Sequence, residues 1–104
     1  MATIGSKKQE KKIAEFAKLA KKLYPDINEL AIKGAFRYGA KAAIEKSQFS
    51  KWEEVAEQPA TVRKKFFNLL MQESRTHLIN IIGEGKVDDF IEKLKVENEK
   101  YLKD

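Results

Sequence analysis

The chain has 104 residues, no cysteine, a formal net charge of +5 and 36% charged residues. This length is typical of one domain that buries its core without metals or disulfides. The missing cysteine excludes thiolate nucleophiles and Cys-ligated zinc. No apolar run approaches the roughly 20 residues of a membrane span. Because the first ten residues also lack the apolar segment of a secretory signal, we expect a cytoplasmic protein.

The first predicted helix covers about residues 7–24, where apolar residues recur every three or four positions. Lysines gather on its opposite side, and Lys18 and Lys22 lie one turn apart there. Pro25 ends the helix because proline interrupts the backbone hydrogen bonding.

The second predicted helix runs from about Ile27 to Lys46 and is apolar or small on nearly every side. A helix with this pattern belongs at the centre of a bundle, surrounded by other helices. We therefore expect the segment around Phe36 to be covered except for one charged row. That row has a spacing of four and consists of Glu29, Lys33, Arg37, Lys41 and Glu45.

Local signals at the second helix predict how it begins and how closely it packs. Asp26 is the expected N-cap, with Glu29 three residues later as in a capping box. Gly34 and Gly39 have low helix propensity. Together with Ala35 and Ala43, they predict that another backbone comes close to this helix.

A short third helix is expected after Ser50, which would cap it with Glu53 as the reciprocal partner. Pro59 suits the first turn of a fourth helix. That helix carries two apolar faces and is expected to end at Gly83 and Gly85.

A fifth helix is predicted over about residues 87–102, with Asp88 and Asp89 in its first turn, where the helix dipole favours acids. The fold class is therefore all-α: a compact bundle of four longer helices plus one short helix, with helices two and four central. Residues 1–6 are predicted to be a disordered N-terminus, and residues 7–104 a single helical domain.

No catalytic, cofactor or metal site is predicted. His77 is the only histidine, so a His-based metal site is excluded, and Glu73 and Ser74 beside it are ordinary helix residues. Acidic clusters stand near helix starts, where the dipole already accounts for them. They comprise Glu53, Glu54 and Glu57, and Asp88, Asp89 and Glu92.

The distribution of charge predicts an acidic partner. Residues 1–50 hold ten Lys and one Arg against five acids, whereas residues 51–104 hold eight Lys and two Arg against eleven acids. Lysine favours diffuse attraction over the bidentate recognition that arginine provides. We expect a non-enzymatic protein that binds an acidic surface of a protein partner. The predicted binding residues are Lys18, Lys22, Lys33, Arg37 and Lys41.

The alternative is nucleic-acid binding. The short helix, the Pro59 turn and the fourth helix resemble a helix-turn-helix, although the turn lacks the usual glycine and is short. The fourth helix would then offer Thr61, Arg63, Lys64 and Lys65 to the groove, supported by the lysine face of the first helix.

The oligomeric state is left open by the sequence. An exposed Trp52 and Phe49, or the small-residue face of the second helix, would serve a homodimer, and monomeric packing explains both equally well.

Overall fold

The computed structural model describes residues 7–103, so the predicted disordered N-terminus lies outside the described residues. Within this range the chain forms five α-helices and no strand, which confirms the predicted all-α bundle of four longer helices and one short one. No helix in residues 7–103 combines the length and the apolarity that crossing a membrane requires. The helices are α1 (Lys7–Leu23), α2 (Glu29–Ser47), α3 (Trp52–Ala56), α4 (Ala60–Ile82) and α5 (Glu84–Glu97).

The central position of α2 and α4 is also confirmed. These two helices pack against each other most extensively, α1 covers α2, and α5 covers α4. The closest approach is at Gly39, where an added Cβ would lie 1.9 Å from Ser74 Oγ and 3.1 Å from the carbonyl oxygen of Leu70. Gly34 has open space around it. The expected close backbone approach is therefore correct at Gly39 and wrong at Gly34.

Aromatic rings join the helices in the core. Phe36 of α2 is fully buried, with ring centroids 5.0 Å from Phe16 of α1 and 6.3 Å from Phe90 of α5. Trp52 is only 3% exposed and meets the Phe66 ring at 5.5 Å. The expectation of an exposed Trp52 is wrong, because α3 folds its apolar side onto α4.

The start of α2 differs from the prediction. Asn28 is the N-cap, and its side-chain oxygen accepts hydrogen bonds from the backbone N–H groups of Leu30 at 3.0 Å and Ala31 at 3.3 Å. Asp26 lies too far from the first helical turn to perform this role. The predicted capping box between Asp26 and Glu29 is therefore wrong.

The start of α3 also differs from the prediction, and the expected capping box of Ser50 with Glu53 is wrong. Ser50 is not the N-cap; its Oγ donates to Glu54 Oε2 at 2.8 Å and its backbone N–H donates to Glu54 Oε1 at 3.4 Å. Lys51 is the N-cap residue of α3 and makes no side-chain capping bond.

A single residue joins α4 to α5. Gly83 has φ 109° and ψ 141°, a conformation that glycine adopts readily, and it ends α4 and begins α5 at once. Gly85 lies inside α5 and does not end α4. Because α5 starts at Glu84, Asp88 and Asp89 lie in its second turn, not in the first.

Candidate functional site

The exposed face of α2 is wider than the sequence predicts. Ala35 and Phe36 are buried, but Leu30 is 72% and Tyr38 is 55% exposed, and Gly34 is also open. These three exposed residues have a spacing of four and form a second row beside the charged one. The expectation that only a charged row reaches solvent is therefore wrong, because among the described helices α1 and α4 are the two that pack extensively against α2.

Tyr38 is supported from the neighbouring helix. Its ring lies 4.3 Å from the ring of His77 on α4, measured between centroids, at an interplanar angle of 60°. Both side chains are exposed, so the pair forms an aromatic platform on the outside of the bundle. We call this region the α2 surface, and it comprises Leu30, Lys33, Gly34, Arg37, Tyr38, Lys41 and His77.

Arg37 is bound to α1. Its Nε and Nη2 atoms donate to Glu10 Oε1 at 3.0 and 2.7 Å, and Nε also lies 3.3 Å from Glu10 Oε2. The hydrogen bond from Arg37 lowers the pKa of Glu10, with a smaller contribution from Lys33. The charge of Arg37 is thus largely matched within the bundle.

The two lysines of the charged row retain more freedom. Lys33 is half-buried close to Glu10, and Lys41 is exposed. Among residues 7–103, no acid forms a salt bridge with Lys41. The α2 surface therefore presents a positive charge next to an exposed aromatic ring.

The five predicted partner-binding residues do not form one patch. Lys33, Arg37 and Lys41 lie on α2, where Arg37 meets the side of α1 that carries Glu10. Lys18 and Lys22 instead border an open groove of about 310 Å³ between α1 and α5. We call it the α1–α5 groove, and it is lined by Glu15, Phe16, Lys18, Leu19, Lys22, Leu94, Glu97 and Asn98.

The residues predicted for nucleic-acid binding also separate. Thr61, Lys64 and Lys65 are exposed along the outside of α4. Arg63 instead donates to three backbone carbonyl oxygens, those of Gln58 at 2.6 Å, Tyr101 at 2.9 Å and Lys103 at 2.7 Å. Its guanidinium therefore anchors the C-terminal turn to the start of α4.

The residues around His77 do not converge on a reacting centre. Ser74 is fully buried against Gly39, where no substrate reaches its hydroxyl. Glu73 accepts a hydrogen bond from Lys46 Nζ at 2.7 Å. Within the described part of the chain, no group of three or more His, Cys, Asp or Glu residues is placed to hold a metal ion.

Leu30, Tyr38 and His77 were not predicted as site residues. The sequence signal for Leu30 and Tyr38 is their spacing with Gly34, which runs parallel to the charged row, whereas no such pattern includes His77. Comparisons of the chain with protein-family models, curated proteins and solved structures give no match.

Proposed function

We propose that the protein acts by binding an acidic surface of a protein partner through the α2 surface, without catalysis. One observation carries the proposal: the exposed Tyr38, supported by His77, adjoins Lys41, whose charge no acid in residues 7–103 pairs. Protein interfaces concentrate their binding energy in a few aromatic or arginine side chains, with polar and charged residues around them.

The aromatic platform is suited to be the centre of such an interface. Contact with His77 limits the movement of Tyr38, so binding costs little side-chain entropy. Leu30 adds apolar area in the same row, and Gly34 between them leaves room for a partner side chain. The phenol hydroxyl supplies one polar contact.

The lysines are expected to act mainly on the rate of association. Lys33 and Lys41 attract an acidic surface over about one Debye length, which is roughly 8 Å at physiological salt. Arg37 adds less to this attraction because Glu10 already neutralises it. The association rate should therefore fall with added salt, while the dissociation rate depends chiefly on Tyr38.

Charge within the row favours a protein over a nucleic acid. Glu29 and Glu45 stand at its two ends, and Glu10 is bound beside Arg37. These carboxylates would repel a continuous phosphate backbone, whereas a protein surface of mixed charge accommodates them. In the alternative of nucleic-acid binding through α4, the Arg63 guanidinium is already bonded to backbone carbonyl oxygens. Of the four predicted residues, Thr61, Lys64 and Lys65 then remain to contact the nucleic acid.

The test is affinity capture from a nuclease-treated extract of the native host, with mass spectrometry of the bound proteins. One variant combines Lys33→Gln and Lys41→Gln, which keeps the ion pair between Glu10 and Arg37. A second is Tyr38→Ala. The matched control, Lys51→Gln with Lys100→Gln, removes the same charge from two exposed lysines outside the α2 surface.

We expect one acidic protein to be retained by the wild type and by the control, and to be lost from both α2 variants. Removal of a central aromatic residue typically costs about 2 kcal/mol or more, so the affinity of Tyr38→Ala should fall roughly thirtyfold. Equal capture by all four proteins would contradict the proposal. Capture that occurs only from an extract without nuclease treatment, and that Lys64→Gln with Lys65→Gln abolishes, would establish the nucleic-acid alternative instead.

A further inference from the structure

A cleft between α4, α5 and the C-terminal turn (residues 98–103) is a further feature of the surface. We call it the α4–α5 cleft; it has a volume of about 260 Å³ and is lined by Lys64, Asn68, Lys95, Glu99, Leu102 and Lys103. Lys95 and Leu102 are half-buried, and the other four lining residues are exposed. The lining is therefore accessible to a ligand. The volume suits a small one, because it lies below the roughly 300–1,000 Å³ of most small-molecule sites.

The charges of the lining favour an anion. Three lysines and one acid line the cleft, and that acid, Glu99, accepts a hydrogen bond from Lys103 Nζ at 2.8 Å. Lys64 of α4 and Lys95 of α5 form no salt bridge with any acid in residues 7–103. The described lining thus carries an excess of two positive charges. Because the two lysines belong to different helices, an anion in the cleft is attracted from both walls.

The polar groups of the cleft match a ligand that is rich in acceptor oxygens. A lysine ammonium group has three hydrogen-bond donors and no acceptor, and the carboxamide of Asn68, one turn after Lys64, adds an N–H₂ donor. A phosphate group offers three acceptor oxygens and between one and two negative charges near neutral pH. A carboxylate offers two oxygens and one charge. Phosphate therefore matches both the donors and the charge excess better than a carboxylate does.

The third wall of the cleft is held in place by Arg63. Its guanidinium donates to the carbonyl oxygens of Tyr101 at 2.9 Å and Lys103 at 2.7 Å, the residues on either side of Leu102. The bond between Lys103 and Glu99 ties the same segment to the end of α5. A wall fixed before binding lowers the entropy that a ligand must offset.

We infer that the α4–α5 cleft binds a small phosphate-bearing molecule that is free in solution, such as a phosphate monoester or a short polyphosphate. The phosphate oxygens would accept hydrogen bonds from Lys64, Lys95 and Asn68, while Lys103 neutralises Glu99. The cleft shares no residue with the α2 surface, so this inference does not depend on the protein partner proposed there.

The test is nuclear magnetic resonance of the full chain with pyrophosphate and with acetate, at constant ionic strength. The side-chain amide signals of Asn68 and the methyl signals of Leu102 report on the cleft. For a small anion in an open cleft, we expect a dissociation constant of roughly 1 mM for pyrophosphate. Acetate, with fewer charges and oxygens, should bind at least about tenfold more weakly.

Variants of the lining should change the affinity for pyrophosphate in opposite directions. Lys64→Gln with Lys95→Gln removes the charge excess and should weaken binding by roughly fivefold to thirtyfold. Asn68→Asp adds a carboxylate of nearly the same shape and should weaken it by at least about threefold. Glu99→Gln removes the only acid of the described lining and frees Lys103, so binding should become about twofold to fivefold tighter.

The matched control, Lys11→Gln with Lys51→Gln, removes the same charge from exposed lysines that do not line the cleft, and it should bind pyrophosphate like the wild type. The inference fails if pyrophosphate leaves the Asn68 and Leu102 signals unmoved, or if acetate binds equally well. Equal weakening in the control and in the Lys64 and Lys95 variant would reduce the effect to net charge and would also overturn it. Shifts that appear with a short single-stranded oligothymidylate but not with pyrophosphate would assign the cleft to a nucleic-acid backbone instead.

Discussion

The substitution Gly39→Ala tests the closest contact of the bundle. An added methyl group would lie 1.9 Å from Ser74 Oγ and 3.1 Å from the carbonyl oxygen of Leu70. Ser74 is fully buried, and the Leu70 oxygen belongs to the α4 backbone, so neither has free space to retreat into. The two central helices must therefore move apart to accept the methyl group.

The expected magnitude follows from two opposing effects. Overpacking a core by one carbon typically costs about 1–3 kcal/mol, whereas alanine gains about 1 kcal/mol over glycine in a helix. The overlap at Gly39 is severe, so we expect a net loss of about 1–2 kcal/mol. At Gly34 nothing lies within 4 Å of the added Cβ, so Gly34→Ala should stabilise by up to about 1 kcal/mol.

Thermal and urea unfolding followed by circular dichroism measure this difference. The two alanine variants should differ in free energy of unfolding by about 1–3 kcal/mol, which separates their Tm values by roughly 5–20 °C. Ser74→Ala removes a buried hydroxyl that has no hydrogen-bond partner among the described residues. It should be near neutral alone and should recover part of the loss in Gly39→Ala. If Gly39→Ala stabilised the fold as much as Gly34→Ala, the close crossing of α2 and α4 would be refuted.

Four further variants test three individual contacts. Asn28→Ala should lower the free energy of unfolding by about 1 kcal/mol because it removes the cap of α2. Asp26→Ala should lower it by under about 0.5 kcal/mol. Similar losses in the two variants would contradict the assignment of Asn28 as the cap. Arg63→Lys removes the guanidinium that bonds to three backbone carbonyl oxygens, so amide hydrogen exchange in the C-terminal turn should become faster. Unchanged exchange would show that these bonds do not hold the C-terminal turn in place. Arg37 lowers the pKa of Glu10, so the ion pair stabilises the fold at neutral pH, and this stabilisation is lost as the pH falls through the lowered pKa. The free energy of unfolding of the wild type should exceed that of Glu10→Gln by under about 1 kcal/mol at pH 7, and the two values should converge in acid. A difference that persisted in acid would contradict this assignment.

The predicted architecture depended on periodicity, which is a strong signal for long helices. The boundaries were harder because local preferences offered two candidates close together. Asp26 and Asn28 are both good N-caps, and the choice depends on where packing against α1 and α4 begins the helix. Gly83 and Gly85 are both good helix terminators, but only Gly83 adopts a positive φ.

The site was less accessible to sequence reasoning, and for a physical reason. Leu30, Tyr38 and Phe36 all lie on a helix that is apolar on most sides, so periodicity cannot tell which of them is covered. Coverage is set by how many helices surround α2, and one side remains open. The α1–α5 groove depends likewise on how two helices far apart in sequence diverge.

The positions of the predicted lysines also could not be derived from sequence. Lys18, Lys33 and Lys41 are all positively charged and all lie in the basic N-terminal half of the chain. In three dimensions Lys18 borders the α1–α5 groove, while the other two belong to the α2 surface. Composition identifies the charge available to partners, but only the packing of the helices divides it between surfaces.

Lysine footprinting of the captured complex tests the proposed function most directly. An amine-acylating reagent is applied with and without the partner, and mass spectrometry gives the reaction rate at each lysine. We predict that the partner slows reaction at Lys33 and Lys41 while Lys64 and Lys65 react unchanged. Slower reaction at Lys64 and Lys65 with no change on α2 would contradict the proposal that α2 carries the binding surface.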